Sequence, residues 1–512
     1  MSRLSNTIKN AKIGVLFHVI FILVQFFSRK IFLENLGDEF IGTTSTLQSF
    51  LGFLNLAELG IGSAIGFALY KPIFKKDYKE INLIIQFVGN LYKKIGIIVI
   101  IAGLILSFFF PLIFNESYIN IGIIYYAFYT FLFSSILGYF FNYHIFLIQA
   151  DQKDYVISKY YQSFAISKIV LQALSVYFFQ NFIIWISLEW ISSSLFSIII
   201  RKKVKKMYPW LELNFLSLNK RIDFENRILL LAKIKQISIH KLGGFLNSGT
   251  DNILIFYFIN AQSVAFFGNY QLIILNIGTL VEKLFAGSKA SVGNLVAENN
   301  EKSIHQVLWE MMALRFFIGG FTVSCIILLI NPFIELWLGK EYILNPIVVA
   351  LFCSIFFIKQ IVNPIEAFKQ AYGLYDDTWA PITEGILNLI ISILFAKKYG
   401  LIGILLGTNV SLFFIVAIWR PYYVYRDGFK KPIAGYILGF IKLMILASLA
   451  FLSSKFITDQ FFNLKFHDFI DLMISTIKII LITGICYITC LYSGSSYYRA
   501  VLKRLKNQFF KK

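Results

Sequence analysis

Long apolar runs recur along almost the whole of this chain, each closed by a short polar or charged break. A bilayer core about 30 Å thick needs about 20 mostly apolar residues per helix, and the runs meet that length again and again. They are apolar on every face instead of alternating over segments of about 10 residues, which argues for helices and against a β-barrel. The pattern predicts fourteen helices, near 12–33, 41–69, 84–113, 120–149, 154–179, 181–200, 230–258, 262–292, 305–335, 345–370, 378–398, 401–424, 433–453 and 470–492. Lys93 and Lys94 interrupt the third, either snorkelling to a membrane surface or facing an aqueous cavity.

The longest break, 201–229, separates six predicted helices from the next six, and this invites a search for a repeat. Gly14, His18, Gln25 and Arg29 in the first helix recur as Gln236, His240, Asn247 and Asp251 in the seventh, at one constant offset of 222. Gly42 matches Gly268 at an offset of 226, one helical turn longer. The expected organisation is a first lobe over 1–213 and a second over 214–427, in a pseudo-twofold parallel-repeat arrangement. A helix pair with a basic tail follows over 428–512.

Composition agrees: 57% of residues are hydrophobic and 15% charged, an all-α integral membrane composition. The formal charge of +20 would point to nucleic acid in a soluble chain. Here the basic residues cluster at the N-terminus, at Lys71/Lys75/Lys76/Lys79, across Arg201–Arg227, at Arg420/Arg426/Lys430/Lys431 and in the last fourteen residues. All fall on one side of a fourteen-helix topology, so both termini are expected in the cytoplasm and no nucleic-acid partner is expected. Lys397 and Lys398 run mildly against this pattern. The basic start lacks a small-residue cleavage site, so an uncleaved first helix is expected. Cys325, Cys353, Cys486 and Cys490 lie in apolar runs and read as small buried hydrophobes, with no metal spacing.

Charges at membrane depth cost at least about 2.5–3.5 kcal/mol, so those retained there face protein or water. Glu58, Lys168, Glu189, Lys235, Lys241, Asp251, Glu282, Lys283, Glu310, Arg315, Lys359, Glu366 and Glu384 are the candidates. Lys235 also reads as a snorkelling side chain. Arg315 lies five residues from Glu310, a poor intrahelical pair, and is expected to reach across helices. Lys168 and Lys359 are lone cations deep in apolar runs, each needing a partner or an anion. His18 and His240 read as core histidines or, through the repeat, as members of a central stripe with Gln25 and Asn247. Gly243 and Gly244 either let helices approach closely or let the seventh helix bend beside that stripe.

ENLGDEFIG, LGFLNLAELGIGSAIGFALYKPI (51–73), TDNILIFYFINAQSVAFFGNYQLI (250–273) and EGILNLIISILFAKKYGLIGILLGTNVSLFFIVAIWRPYYVY (384–425) resemble Wzx-type O-antigen and capsular polysaccharide flippases. These belong to the multidrug/oligosaccharidyl-lipid/polysaccharide (MOP) exporter superfamily, and the likeness runs from about residue 10 to 427. The resemblance implies a MATE/MOP-like fold in the bacterial inner membrane. It implies a transporter, not an enzyme, that moves undecaprenyl-pyrophosphate-linked repeat units to the periplasmic leaflet by alternating access through a cationic cavity. It further implies coupling to Na⁺ or H⁺, contact with membrane lipids, and polymerase or chain-length proteins as partners. The chain has no G-x-x-x-x-G-K-[ST] phosphate loop, as a transporter that hydrolyses no nucleotide requires. It departs from its relatives at Asp376 and Asp377, where they often carry a basic residue.

A pyrophosphate crossing the membrane needs cations in a hydrated cavity, and Arg29, Lys168, Lys235, Lys241, Arg315 and Lys359 are the expected pyrophosphate ligands. Glu58, Asp251 and Glu366 are the expected coupling carboxylates, with Gly243 and Gly244 as a hinge. A multidrug antiporter would want an acid-rich lumen and about twelve helices. A glycosyltransferase or polymerase would want a larger outer loop than any here, Glu34, Asp38 and Glu39 reading as solvated loop charge. A peptidoglycan-precursor flippase shares the helix count and the cationic character.

Overall fold

A computed structural model describes residues 3–58, 61–212, 249–285, 288–298, 300–461 and 468–510, with 231, 234, 238, 242–246 and 466. No strand occurs among the described residues, and twelve of the described helices are long and apolar enough to cross a membrane. Long helices present large apolar side chains outward, Phe27, Phe108, Phe178, Leu438 and Ile470 among them, as a lipid-facing surface requires. The chain forms two compact units, Met1–Gly268 and Asn269–Lys512.

The first unit begins with α1 (Arg3–Leu36) and α2 (Asp38–Leu54), then a 3₁₀ turn at Asn55–Glu58 and α3 (Ile61–Lys75). The sequence predicts one helix over 41–69; the structure breaks it at Asn55, for a reason that lies in distant residues. Asn55 Oδ1 accepts hydrogen bonds from Ser135 at 3.0 Å and Tyr139 at 2.8 Å, and Glu58 accepts one from Tyr92 at 2.9 Å. These bonds satisfy the polar side chains at the break, while the Asn55 backbone N–H donates to the Leu51 and Phe53 carbonyls of α2. There follow α4 (Tyr78–Phe108), α5 (Phe110–Ile113), α6 (Ile121–Phe141), α7 (Ile145–Ala150), α8 (Asp154–Phe179) and α9 (Phe182–Met207). The single helix predicted over 120–149 therefore also divides, at Asn142, whose side chain turns to Ser197 at 3.0 Å. α8 packs on α1 and α9, and Trp185 of α9 meets Phe32 and Phe40 edge-on at 5.8 and 5.5 Å.

Of the predicted seventh helix the structure describes little before α10 (Asp251–Phe258), which packs on α2. This and the broken second helix account for twelve continuous spans among the described residues where the sequence predicts fourteen. α11 (Ala261–Leu284) starts against α2 so closely that a side chain on Gly42 would meet the Ala261 carbonyl.

The second unit continues through α12 (Ser288–Ala297), α13 (Glu301–Trp337), α14 (Pro346–Ala371), α15 (Trp379–Tyr399) and α16 (Leu401–Ser411). α13, at 37 residues, is roughly 55 Å long at 1.5 Å per residue, and so projects beyond the hydrocarbon layer. α15 and α16 pack tightly because Gly407 leaves room for Ser392 and the Asn388 carbonyl, while Asn388 and Thr408 join at 3.3 Å. The span opened by α16 continues as π-helix over Leu412–Trp419 and Val424–Phe429, with α17 (Arg420–Tyr423) between. The last pair, α18 (Ala434–Phe461) and α19 (Phe469–Gly494), packs on α13 within this unit, followed by α20 (Ser496–Phe510).

Candidate functional site

In the second unit one buried guanidinium gathers three helices. Arg315, 1% exposed on α13, donates from Nη1 to Glu282 of α11 at 3.0 Å and to Gln360 Oε1 at 2.6 Å, and from Nη2 to Asn363 Oδ1 at 3.0 Å. Asn363 in turn donates to both Glu282 oxygens at 3.3 and 3.2 Å. The fork geometry of arginine lets one side chain hold a carboxylate and two amides in one arrangement. The Phe285 ring covers the guanidinium at 4.1 Å, while the Glu282 side chain stays 44% exposed. Gly319, one turn along α13, leaves the space that Gln360 and Phe357 fill. Lys359 is exposed on α14, next to Gln360.

A second charged cluster joins α14, α15 and the π-helical span. Arg420 reaches Glu384 at 3.0 Å and Glu366 at 3.4 Å, and Gln370 donates to Glu366 at 3.0 Å. Beside it Lys369 binds both oxygens of Asp377 at 2.7 Å, both residues being buried, and the Trp419 indole N–H points to the same carboxylate at 3.4 Å. Asp377, the acidic departure noted in the sequence, thus answers a buried lysine. Glu310 does not pair with Arg315, which reaches across helices as expected, and turns to Arg504 at 3.1 Å and Gln306 at 2.9 Å.

In the first unit His18 is buried, Gln25 half-buried, and Arg29 donates from Nη2 to the Ala265 carbonyl at 3.0 Å beside Gly268. Lys168 pairs with Glu189 at 2.8 Å between α8 and α9, so its counter-charge comes from protein. Glu58 accepts from Tyr92 at the break in the second helix. Asp251 is buried in the first turn of α10, and its neighbour Asn252 donates to Ser49 of α2 at 3.1 Å. Gly243, buried, and Gly244, exposed, are both helical, whereas Gly249 and Thr250 are not. Lys235, His240, Lys241 and Asn247 lie outside the described residues.

Sequence reasoning named Arg315, Glu282 and Glu366 but missed Gln360, Asn363, Lys369 and Arg420 as their partners. Two amides three apart in an apolar run, on one helix face, were the available signal for Gln360 and Asn363. The Lys369–Asp377 pair closes a helix–loop–helix corner that neither residue announces.

The second unit also holds an apolar cavity of about 330 Å³ walled by α11, α13 and α19. Ile277, Phe321, Cys325, Leu329, Leu472 and Ile480 are among its lining residues.

No protein-family model matches the chain, and no curated protein does. Solved structures do match in fold. The lipid II flippase MurJ in an inward closed conformation aligns with a TM-score of 0.64 at 16% identity, covering 93% of this chain and all of that one. An inward-facing multidrug resistance MATE family transporter of the MOP superfamily aligns at 0.58 and 14% identity, covering 81% of this chain and 98% of its own. A MOP superfamily transporter from Pyrococcus furiosus, described as having a binding pocket of reverse polarity, aligns at 0.53 and 14%, covering 84% and 98%. The chain therefore has the all-helical MATE/MOP fold, whose representatives here are transporters.

Proposed function

We propose that this protein is a flippase for undecaprenyl-pyrophosphate-linked oligosaccharides, carrying repeat units from the cytoplasmic to the periplasmic leaflet of a bacterial inner membrane for O-antigen, capsule or exopolysaccharide assembly. The observation that carries this reading is one juxtaposition. The apolar cavity runs along α11 and α13, the helices that bear Glu282 and Arg315, and its third wall is α19 of the C-terminal pair. Polar head chemistry and room for a hydrocarbon chain on the same helices suit an amphiphile better than a soluble cationic drug. The lipid flippase fold also spans more of this chain than the multidrug transporters do.

In this reading Arg29 and Lys359, both accessible, meet the pyrophosphate, together with Lys235 and Lys241. Arg315 and Lys168 are paired with Glu282 and Glu189 and meet substrate only if those pairs open. Glu58, Asp251 or Glu366 binds the coupling Na⁺ or proton, and both termini are cytoplasmic. Gly243 and Gly244 bend the seventh helix as access alternates.

The test is reconstitution. Purified protein in vesicles is expected to move a radiolabelled polyprenyl-pyrophosphate oligosaccharide between leaflets without ATP; export of cationic dyes in its place would overturn the proposal. The similarity to a lipid II flippase supports one second reading, a peptidoglycan precursor as cargo. Competition between the two lipids in the same vesicles separates them.

A further inference from the structure

A second cavity, of about 540 Å³, opens in the second unit among Glu301, Lys302, His305, Lys431, Ser496 and Tyr497. Its position follows from the chain: α13 begins at Glu301, Lys431 lies three residues before α18, and α19 ends at Gly494 where the chain turns into α20. The ends of three membrane spans therefore meet at this cavity, which places it at the boundary between hydrocarbon and water.

The lining chemistry is cationic and amphipathic. Lys431 pairs with Glu301 at 3.1 Å, whereas Lys302 makes no ion pair among the described residues. The Trp309 indole N–H donates to His305 Nε2 at 3.2 Å, so neutral His305 carries its proton on Nδ1 and keeps one N–H donor. Trp309 stacks on Tyr497, centroids 6.0 Å apart, giving the aromatic floor typical of headgroup depth. The cavity wall formed by α20 is fixed: Tyr498 is buried, Arg504 reaches buried Glu310, and Arg499 donates to the carbonyls of Tyr492 and Ser493. Beyond the cavity α20 carries Lys503 and Lys506, in an amphipathic sequence suited to lying on an anionic surface.

We propose that this cavity binds the phosphate of an anionic phospholipid headgroup from the leaflet on which α20 lies. Two ammoniums and an imidazole N–H are ordinary phosphate partners, and the cavity opens where such headgroups are concentrated. The site involves none of the residues assigned to transport and does not depend on that assignment.

The experiment is native mass spectrometry of the full-length protein released from mixed phosphatidylglycerol and phosphatidylcholine micelles. Wild type is expected to retain phosphatidylglycerol preferentially, and a Lys302→Gln/Lys431→Gln variant to lose that preference by about thirtyfold, the scale of two lysines near a headgroup. Lys503→Gln/Lys506→Gln, outside the cavity, is expected to keep it, and Lys302→Arg/Lys431→Arg to keep it as proof of fold. Equal retention of the two lipids by wild type overturns the proposal, as does an unchanged preference in the Lys302/Lys431 glutamine variant. Loss confined to the Lys503/Lys506 variant overturns it in favour of the helix surface. Displacement of the lipid by inorganic phosphate or glycerol phosphate overturns the lipid source in favour of a soluble phosphate.

Discussion

Arg315 of α13 and Glu282 of α11 meet at 3.0 Å with the arginine almost wholly buried and the carboxylate open on one side. Gln360 and Asn363 of α14 accept from Nη1 and Nη2 of the same guanidinium, so the pair is held from a third helix. Removing only the guanidinium leaves a carboxylate and two amides without their shared donor. Arg315→Ala is therefore expected to cost about 2–4 kcal/mol, from the space it empties and the stranded Gln360 and Asn363 amides, while Glu282, open on one side, rehydrates. Arg315→Lys, which keeps the charge but loses the fork, is expected to cost less and still impair transport. Thermal unfolding in detergent, beside vesicle transport, checks both; wild-type stability in the alanine variant would refute the hub.

Lys369 and Asp377 offer a cleaner cycle because both are buried and bind each other through both carboxylate oxygens. Each single change, Lys369→Met or Asp377→Asn, strands the partner and is expected to lower the unfolding midpoint markedly. The double variant is expected to recover much of the loss, since a buried ion pair replaced by neutral groups is often near neutral. Additive losses would mean that Trp419 and Tyr423, and not the pair, hold this corner.

These two pairs mark where sequence reading stopped. Spans were legible because bilayer thickness imposes one length on every apolar run, as in Pro346–Ala371 against the predicted 345–370. The break at Asn55 was not, because the groups that satisfy it, Tyr92, Ser135 and Tyr139, come from other helices. The depth of Arg315 and Glu366 was legible, since both lie within spans, at Glu301–Trp337 and Pro346–Ala371, but their pairing was not. Lys168 read as a lone cation and has Glu189 beside it; Asp377 read as a loop acid and is buried against Lys369. A one-dimensional pattern records depth in the membrane but not which helix stands opposite.

His144 follows Phe141, where a span ends, and is 1% exposed. Burial first, and the nearby Arg201 charge second, pull its imidazole down from the usual value of 6.5 to about 4. The folded protein thus disfavours the protonated form that the unfolded chain accepts. The stability His144 contributes is full above pH 6.5 and is lost progressively as pH falls from 6.5 toward 4. Between pH 7.5 and 5 the first unit is expected to lose about 2 kcal/mol from this residue, and His144→Gln is expected to flatten that part of the profile. Unfolding midpoints of both proteins across the range provide the check.

Glu58 stands at the interruption of the second helix with the Tyr92 hydroxyl on its carboxylate. If it binds the coupling ion, Glu58→Gln is expected to leave exchange down a substrate gradient intact while abolishing acceleration by an imposed Na⁺ or proton gradient. Tyr92→Phe is expected to weaken coupling in part, since it removes one hydrogen bond worth about 1 kcal/mol and keeps the carboxylate. A Glu58→Gln protein that still responds fully to the gradient would shift the role to Asp251 or Glu366.

The apolar cavity on the helices that bear Arg315 and Glu282 makes the last prediction, which separates tail recognition from head recognition. Thr322 lines it next to Phe321 and one turn before Cys325 on α13, and Leu472 and Ile480 close it from α19. Thr322→Trp places a large ring in a space of about 330 Å³ without altering any charged residue. If the hydrocarbon tail occupies that space, the variant is expected to lose transport of the undecaprenyl-linked oligosaccharide while still moving an analogue on a short prenyl chain. Overpacking costs of about 1–3 kcal/mol are expected as well, so the unfolding midpoint is measured in parallel to separate misfolding from exclusion. Equal transport of long and short chains by a folded Thr322→Trp protein would place the tail elsewhere, and with it would go the main support for a lipid-linked cargo.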